Sequence, residues 1–267
     1  MKTSIYHITF FDANKSLYIQ FHNCNFRCLG CIRRLGIWDS HLSREIRDIL
    51  MSFYRDVESV YLSIDALRSI ALYTKDFLDA RIAILGGGEP TADKMFREVV
   101  EILNGIDMEI RVLTNGYNLD RYIDILGDVD AYIVLSIKSI DRDKHLFYTG
   151  RDLDTILKNF VEVYRRGLRI SIETIDIPGF NDPSDIEKLA MYISSIDPSI
   201  ELIIDSYIPV PQTPWGRPSE TEMLEAGKRA RKYLKNVYLR GLEISKPIGN
   251  ILLIHPPLPL KVSPCNK

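Results

Sequence analysis

The sequence contains few cysteines, and their placement does not fit a disulfide framework. Only four of the 267 residues are Cys, and three of them, Cys24, Cys28 and Cys31, fall within eight consecutive positions. A disulfide framework is typical of small secreted chains with cysteines spread along their length. The arrangement therefore indicates a metal site in a reducing compartment, with Cys265 as an isolated thiol.

The sequence also lacks an excess of charge of either sign and a long apolar run. Its formal net charge of −2 gives no reason to expect a nucleic-acid partner. Residues 1–11 are too short and too polar for a signal peptide. The apolar stretch 248–260 is too short to span a bilayer and is interrupted by proline. We therefore expect a cytoplasmic protein without a membrane-spanning segment.

What the sequence does contain is a regular alternation of predicted strands and helices. The strands are apolar or alternating runs bounded by turn residues, and the helices have a period near 3.6 residues. Strands are predicted at 4–11, 16–22, 81–85, 108–113, 131–137, 168–175 and 200–208, with an edge strand at 236–244. Helices are predicted at 65–76, 91–103, 119–126, 153–166, 184–196 and 220–234.

From residue 16 onward this alternation amounts to about six βα units, which predicts a parallel sheet with helices on its outer face. Six units are fewer than the eight of a closed barrel. We therefore predict an α/β fold in the form of a partial (β/α)6 barrel, with a flat doubly wound sheet as the alternative. One domain over residues 1–267 is expected, with an N-terminal hairpin at 4–22, a core over about 16–218 and a C-terminal extension over 219–267.

The three clustered cysteines follow the predicted strand 16–22, at the strand end where parallel α/β folds place their chemistry. Thiolates are soft ligands that bind iron–sulfur clusters, zinc or copper. A structural zinc site needs four ligands, and His22 is the only nearby candidate for the fourth. Its spacing from Cys24 is not that of a zinc motif, so we expect His22 to pack or hydrogen-bond instead. A cubane cluster on three cysteines leaves one iron open to a small molecule.

A glycine-rich segment, Gly86-Gly87-Gly88-Glu89-Pro90, follows the next core strand. Glycines let the backbone approach a ligand closely, and the Glu89 carboxylate can pair with an ammonium group. The alternative is a tight turn in which Glu89 only caps the next helix. The segment alone does not decide between these two functions.

The cysteine spacing and the Gly-Gly-Glu-Pro segment together resemble the radical S-adenosylmethionine (SAM) superfamily. The resemblance implies a [4Fe–4S] cluster on Cys24, Cys28 and Cys31, with SAM at the open iron. It also implies an oxidoreductase that cleaves SAM reductively to a 5′-deoxyadenosyl radical, which abstracts hydrogen from a substrate. The SAM-binding residues that it implies are Gly30 at the adenine, Gly87, Gly88 and Glu89 at the methionyl amine, Asn115 at the ribose, and Lys138 near the carboxylate, with Ser136 two residues before it.

Later segments resemble the activating enzymes of glycyl-radical enzymes, such as pyruvate formate-lyase activating enzyme. These segments are Thr114-Asn115-Gly116, Ser136-Ile137-Lys138 and the loop 178–182, each at the end of a predicted strand. The resemblance covers roughly residues 16–218. It implies a one-electron donor such as flavodoxin or ferredoxin and a protein, peptide or small-molecule substrate that the sequence does not name.

The sequence departs from that subgroup at several positions. Gly30 stands where the family has an aromatic residue before the third cysteine. Leu113 and Ser136 stand where the activating enzymes carry two carboxylates for a monovalent cation, so we expect no such cation site. The alternatives are therefore radical SAM modification of a peptide, an RNA base or a small molecule. From a different class, a non-catalytic zinc-binding or redox scaffold is the second alternative.

Three arginines, Arg27, Arg33 and Arg34, surround the cysteines in the sequence. Positive charge beside a metal site can steer an anionic substrate or tune the potential of a cluster. A solvated rim without function is the alternative, and the sequence does not distinguish these three explanations.

Overall fold

A computed structural model describes residues 2–242 and 249–258. Its framework is one nine-stranded sheet, in the spatial order β8-β7-β6-β5-β4-β3-β2-β1-β9. The strands are β1 Ile5–Phe11, β2 Ser16–Phe21, β3 Ile82–Gly87, β4 Glu109–Thr114, β5 Tyr132–Ser136, β6 Arg169–Asp176, β7 Glu201–Ser206, β8 Val237–Arg240 and β9 Ile251–His255.

The strands from β2 to β8 are parallel neighbours, whereas β1 pairs antiparallel with β2 and β9 pairs antiparallel with β1. In the described residues β8 and β9 are the two edges, so the sheet does not close on itself. Six βα units precede β8, which is the seventh parallel strand. The predicted partial barrel is confirmed. The predicted edge strand is confirmed over Val237–Arg240, and its last residues, 243 and 244, lie outside the described residues.

Eight α-helices are found in the described residues and connect or follow these strands. They are α1 Arg44–Phe53, α2 Ile64–Leu78, α3 Phe96–Gly105, α4 Ile123–Asp128, α5 Arg142–Thr149, α6 Asp154–Arg165, α7 Pro183–Ile196 and α8 Glu220–Ala230. Their buried faces pack against one face of the parallel strands and form a continuous apolar core with it. No helix in the described part of the chain is long and apolar enough to cross a membrane.

Several predicted boundaries were wrong, for local reasons. The helix predicted from residue 91 begins at Phe96, because Pro90–Ala92 forms a separate 3₁₀ turn capped by the Glu89 side chain. The helix predicted at 119–126 is likewise split into a 3₁₀ turn and α4. The helix predicted at 220–234 ends at Ala230.

The sequence analysis did not predict α1, α5 and β9. The apolar spacing of Ile46, Ile49, Leu50 and Phe53 was the available signal for α1, and the sequence analysis did not use it. The eight-residue helix α5 is mostly polar and is started by Asp141, whose carboxylate accepts a hydrogen bond from the Lys144 N–H. Strand β9 depends on pairing with β1, at the other end of the chain.

The last residue of β6, Asp176, is a buried carboxyl group without a hydrogen-bond partner in the described residues. Its side chain is fully buried, and both carboxylate oxygens lack a donor. The pKa of Asp176 is raised to about 7, mainly by burial and to a smaller extent by the negative charges of Glu222 and Asp182. The folded protein therefore keeps a proton on Asp176 that the unfolded chain loses near pH 4.

We expect Asp176→Asn to stabilise the protein at high pH and to have little effect at low pH. The proton that Asp176 holds in the folded state contributes its full stabilisation below about pH 4, and this contribution is lost as the pH rises through about 7. Asn cannot ionise, so the free energy of unfolding should rise by roughly 2–4 kcal/mol at pH 8. Denaturant unfolding at pH 5 and pH 8 measures the difference, with exposed Asp128→Asn as the control. Equal effects of Asp176→Asn at both pH values would contradict this account.

Candidate functional site

A cavity of about 390 Å³ lies at the C-terminal ends of the parallel strands. Strand ends at this edge of a parallel sheet bring side chains from successive βα units together. All ten residues that the sequence analysis singled out line this one cavity: Cys24, Cys28, Gly30, Cys31, Gly87, Gly88, Glu89, Asn115, Ser136 and Lys138. The structure thus collects residues from four segments that are far apart in the sequence.

The cysteine loop is held against the end of α5 by backbone hydrogen bonds. The Arg27 N–H donates to the Thr149 carbonyl and the Leu29 N–H donates to the Tyr148 carbonyl, both at 2.9 Å. A further bond joins the Cys31 N–H to the Cys28 carbonyl at 3.3 Å. The loop is therefore fixed on both sides of Cys28.

The three thiols are not arranged to bind one metal ion together, and two of them are hard to ionise. Burial raises the pKa of the Cys28 thiol to about 12 and also raises the pKa of Cys24, so a nearby cation is needed to hold either thiolate. Within residues 2–242 and 249–258, no three His, Cys, Asp or Glu side chains are arranged to bind a single metal ion. In a cubane cluster each cysteine binds a different iron, which requires the thiols to stand apart.

His22, the only local candidate for a fourth ligand, is occupied elsewhere. Its Nδ1 is hydrogen-bonded to the Tyr61 hydroxyl, and its ring lies 5.9 Å from the Tyr61 ring. Burial lowers the pKa of His22, with a further contribution from the charge of Arg33. The expectation that His22 packs and hydrogen-bonds is confirmed.

The glycine segment after β3 lies directly on the chain that leads to Cys24. The Gly88 N–H donates to the Phe21 carbonyl and the Glu89 N–H donates to the Asn23 carbonyl, both at 2.7 Å. A Cβ atom at Gly88 would lie 2.3 Å from the Asn23 carbonyl oxygen, so only glycine fits this close approach. These two N–H groups are already bonded within the protein and cannot donate to a ligand. The segment can therefore offer a ligand only acceptors, namely carbonyl oxygens and the Glu89 carboxylate.

Glu89 caps a turn and lines the cavity at the same time. One carboxylate oxygen accepts hydrogen bonds from the Thr91 N–H at 3.0 Å and the Thr114 hydroxyl at 2.7 Å, and the other accepts from the Asn115 N–H at 2.6 Å. Glu89 is 1% exposed, and this burial raises its pKa. All these donors are neutral groups, so a cationic ligand would stabilise the ionised carboxylate.

Gly30 has no room for a side chain, because two tyrosines fill the adjacent space. A Cβ atom at Gly30 would lie 2.4 Å from the Tyr148 hydroxyl and 2.8 Å from the Tyr207 ring. Both rings are nearly fully buried and line the cavity. Two aromatic rings therefore lie beside Gly30, although Gly30 itself has no side chain. The sequence analysis did not identify Tyr148 or Tyr207.

A chain of polar side chains crosses the other half of the cavity from β5 to β8. The Lys138 ammonium donates to the Ser136 hydroxyl, which donates to Glu173 at 3.2 Å. Arg240 binds Glu173 and also Asp205, the latter with an Nε–Oδ1 distance of 2.6 Å. The sequence analysis missed Glu173, Asp205 and Arg240. The position of Glu173 near the C-terminal end of the predicted strand 168–175, where the other site residues also lie, was the available signal.

Comparison with known proteins assigns the family. The profile described as the Radical SAM superfamily matches residues 18–193. The chain belongs to the radical SAM superfamily. Members of this superfamily are enzymes that use a [4Fe–4S] cluster and SAM.

Two relatives and one solved structure illustrate the likeness of this radical SAM chain. A candidate glycyl-radical enzyme activating enzyme of Methanocaldococcus jannaschii is 26% identical over 221 residues, covering 81% of this chain and 77% of the relative. Pyruvate formate-lyase-activating enzyme of Staphylococcus aureus is 28% identical over 194 residues, covering 67% and 70%. SuiB of Streptococcus suis bound to SAM has a TM-score of 0.63 at 14% identity, covering 82% of this chain and 48% of SuiB. This last likeness concerns the fold alone.

Proposed function

We propose that this chain holds a [4Fe–4S] cluster on Cys24, Cys28 and Cys31 and cleaves SAM reductively. The observation that carries the proposal is the common cavity. Three thiols, the Glu89 carboxylate and the Lys138 ammonium all line the same space at the ends of the parallel strands. These are the ligand types that a cluster and the amine and carboxylate of a methionyl group need.

The residues present fit both groups. Three thiols without a fourth local ligand leave a position on a cubane open for SAM. The glycine segment offers acceptors to an ammonium group, since its N–H groups at Gly88 and Glu89 are already bonded. Lys138 offers a cation to a carboxylate, and the rings of Tyr148 and Tyr207 offer an apolar wall beside Gly30.

A reduced cluster held by Cys24, Cys28 and Cys31 would supply one electron for the cleavage of SAM to methionine and a 5′-deoxyadenosyl radical, and this radical would take hydrogen from the substrate. The chain's own residues position the reactants. Glu89 orients the amine through its charge, and Lys138 orients the carboxylate. Tyr148 and Tyr207 are buried against the cysteine loop and keep water from that side of the cavity.

The substrate that fits the relatives best is a glycyl-radical enzyme, so that this chain would be an activating enzyme. The two relatives described above, both named as activating enzymes, support this assignment. Radical SAM modification of a peptide, an RNA base or a small molecule is the second candidate. It is supported by Leu113 and Ser136, which line the cavity where activating enzymes carry carboxylates. In either case we propose a cytoplasmic enzyme reduced by a flavodoxin or ferredoxin.

We expect Glu89→Gln to weaken SAM binding while the cluster persists. The substitution keeps the shape of the side chain but removes the charge that would pair with the methionyl amine. The loss should be roughly 1.5–3 kcal/mol, or about 10-fold to 150-fold in the dissociation constant. Isothermal titration of anaerobic, reconstituted protein with SAM measures it. The control is Glu109→Gln, an exposed glutamate at the start of β4. Unchanged affinity in Glu89→Gln would leave Glu89 only its capping role.

A further inference from the structure

The three arginines near the cysteines differ in their surroundings. Arg27 and Arg34 are exposed, whereas Arg33 is half-buried. Arg33 lines the main cavity and also a second cavity of about 340 Å³, whereas Arg27 and Arg34 line only the second. The three cysteines, Gly87 and Gly88 line both. Arg33 is therefore the arginine whose charge is least screened by solvent at the proposed cluster site.

The guanidinium of Arg33 is fixed in place. Its Nη1 donates to the His22 carbonyl at 2.7 Å, and its central carbon lies 5.8 Å from the centre of the Tyr6 ring. A cation held over an aromatic face at this distance is stabilised by the ring. Tyr6 lies in β1 and His22 follows β2, so both contacts hold the guanidinium from that side of the site.

One donor of this guanidinium has no partner. The Arg33 Nε is buried, and no acceptor for it is found in residues 2–242 and 249–258. Leaving a buried donor of a charged group unsatisfied is costly, so such groups normally have a partner. Because the Nε has no surface open to either cavity, no atom in the cavities can accept from it; what Arg33 brings to the wall of the space for a cluster is its positive charge.

We propose that Arg33 is a positioning residue that raises the reduction potential of the cluster. This inference rests on the proposed function. Reduction adds one electron, and so one negative charge, to a cluster whose ligands are already anionic. A fixed positive charge beside the cluster favours the reduced form. Arginine suits this role because its charge does not change with pH.

The test is a redox titration of reconstituted protein without SAM. Iron and sulfide are measured first in the wild type and in Arg33→Gln, Arg33→Lys and Arg34→Gln. Each protein is then titrated with dithionite, and the reduced cluster is followed by electron paramagnetic resonance. At the potential that half-reduces the wild type, Arg33→Gln should have a tenfold lower ratio of reduced to oxidised cluster, which is about 59 mV for one electron. Arg34→Gln, one position away and exposed, should match the wild type.

The Lys variant separates charge from the size and shape of the side chain. Arg33→Lys keeps the positive charge, so its potential should lie closer to the wild type than to Arg33→Gln. Equal potentials in the wild type and both Arg33 variants, each with full iron, would overturn the inference. An equal shift in Arg34→Gln would also overturn it. If Arg33→Gln holds no cluster, Arg33→Met, which also removes the charge, is titrated in its place, and a wild-type potential there overturns the inference. A wild type without iron would instead refute the proposed function.

Discussion

Cys28→Ala protein, reconstituted anaerobically, should hold no [4Fe–4S] cluster, whereas the unaltered chain should hold about four irons and four sulfides. Cys28 lies in the middle of the cysteine loop, and backbone bonds from Arg27 and Leu29 to the end of α5 fix its position. No other thiol can therefore move into its place without breaking that attachment. Loss of iron, of sulfide and of the cluster's visible absorbance in the same variant is the expected result.

The matched control is Cys265→Ala, which should leave the cluster intact. Cys265 lies outside the residues that the structure describes, and one isolated thiol is not enough for a second cluster. A Cys28→Ala protein with full iron and sulfide would refute the ligand assignment. About one zinc and no iron in the unaltered protein would favour the scaffold alternative.

The second large effect is expected from Gly88→Ala. The added Cβ would lie 2.3 Å from the Asn23 carbonyl oxygen and 2.7 Å from that of Phe21, and backbone atoms of a paired strand cannot move aside cheaply. The glycine segment should separate from the chain that leads to Cys24. We expect a loss of about 2–3 kcal/mol in the free energy of unfolding and SAM binding at least about tenfold weaker.

Gly36→Ala is the matched control for this substitution. Gly36 lies in the loop after the cysteines, and no atom lies within 4 Å of the position that its Cβ would take. Denaturant unfolding and titration with SAM should show little change in this variant. If Gly88→Ala behaves like Gly36→Ala in both measurements, the close approach at Gly88 is not needed for the site.

Local patterns were enough to predict most of the parallel sheet, and the resemblance to radical SAM enzymes implied the ten cavity residues. Buried parallel strands are apolar throughout, so runs such as 131–137 stand out from their surroundings. The residues that follow them meet at one edge of the sheet because consecutive βα units place strand ends side by side. The cysteine spacing and the glycine segment could therefore be assigned to one site before their contacts were known.

The remainder of the site depends on contacts between distant segments. Glu173, Asp205 and Arg240 form one network only because β6, β7 and β8 pair in a particular register. The space beside Gly30 is filled by Tyr148, which lies on the short polar helix α5 that has no clear apolar period. Similarly, β9 is a strand because β1 is available to pair with it. None of these features leaves a periodic pattern in the sequence.

The most direct test of the central claim is whether the protein cleaves SAM. Reconstituted protein given SAM and dithionite should release 5′-deoxyadenosine and methionine slowly, even without its substrate, since the chain itself supplies the cluster ligands and the SAM site. Cys28→Ala should release none. Added potassium should change the rate little, because Leu113 and Ser136 provide no carboxylates and the nearby Glu173 and Asp205 are already paired with Arg240. The contradicting result is a protein with four irons and bound SAM that releases no 5′-deoxyadenosine with any reductant.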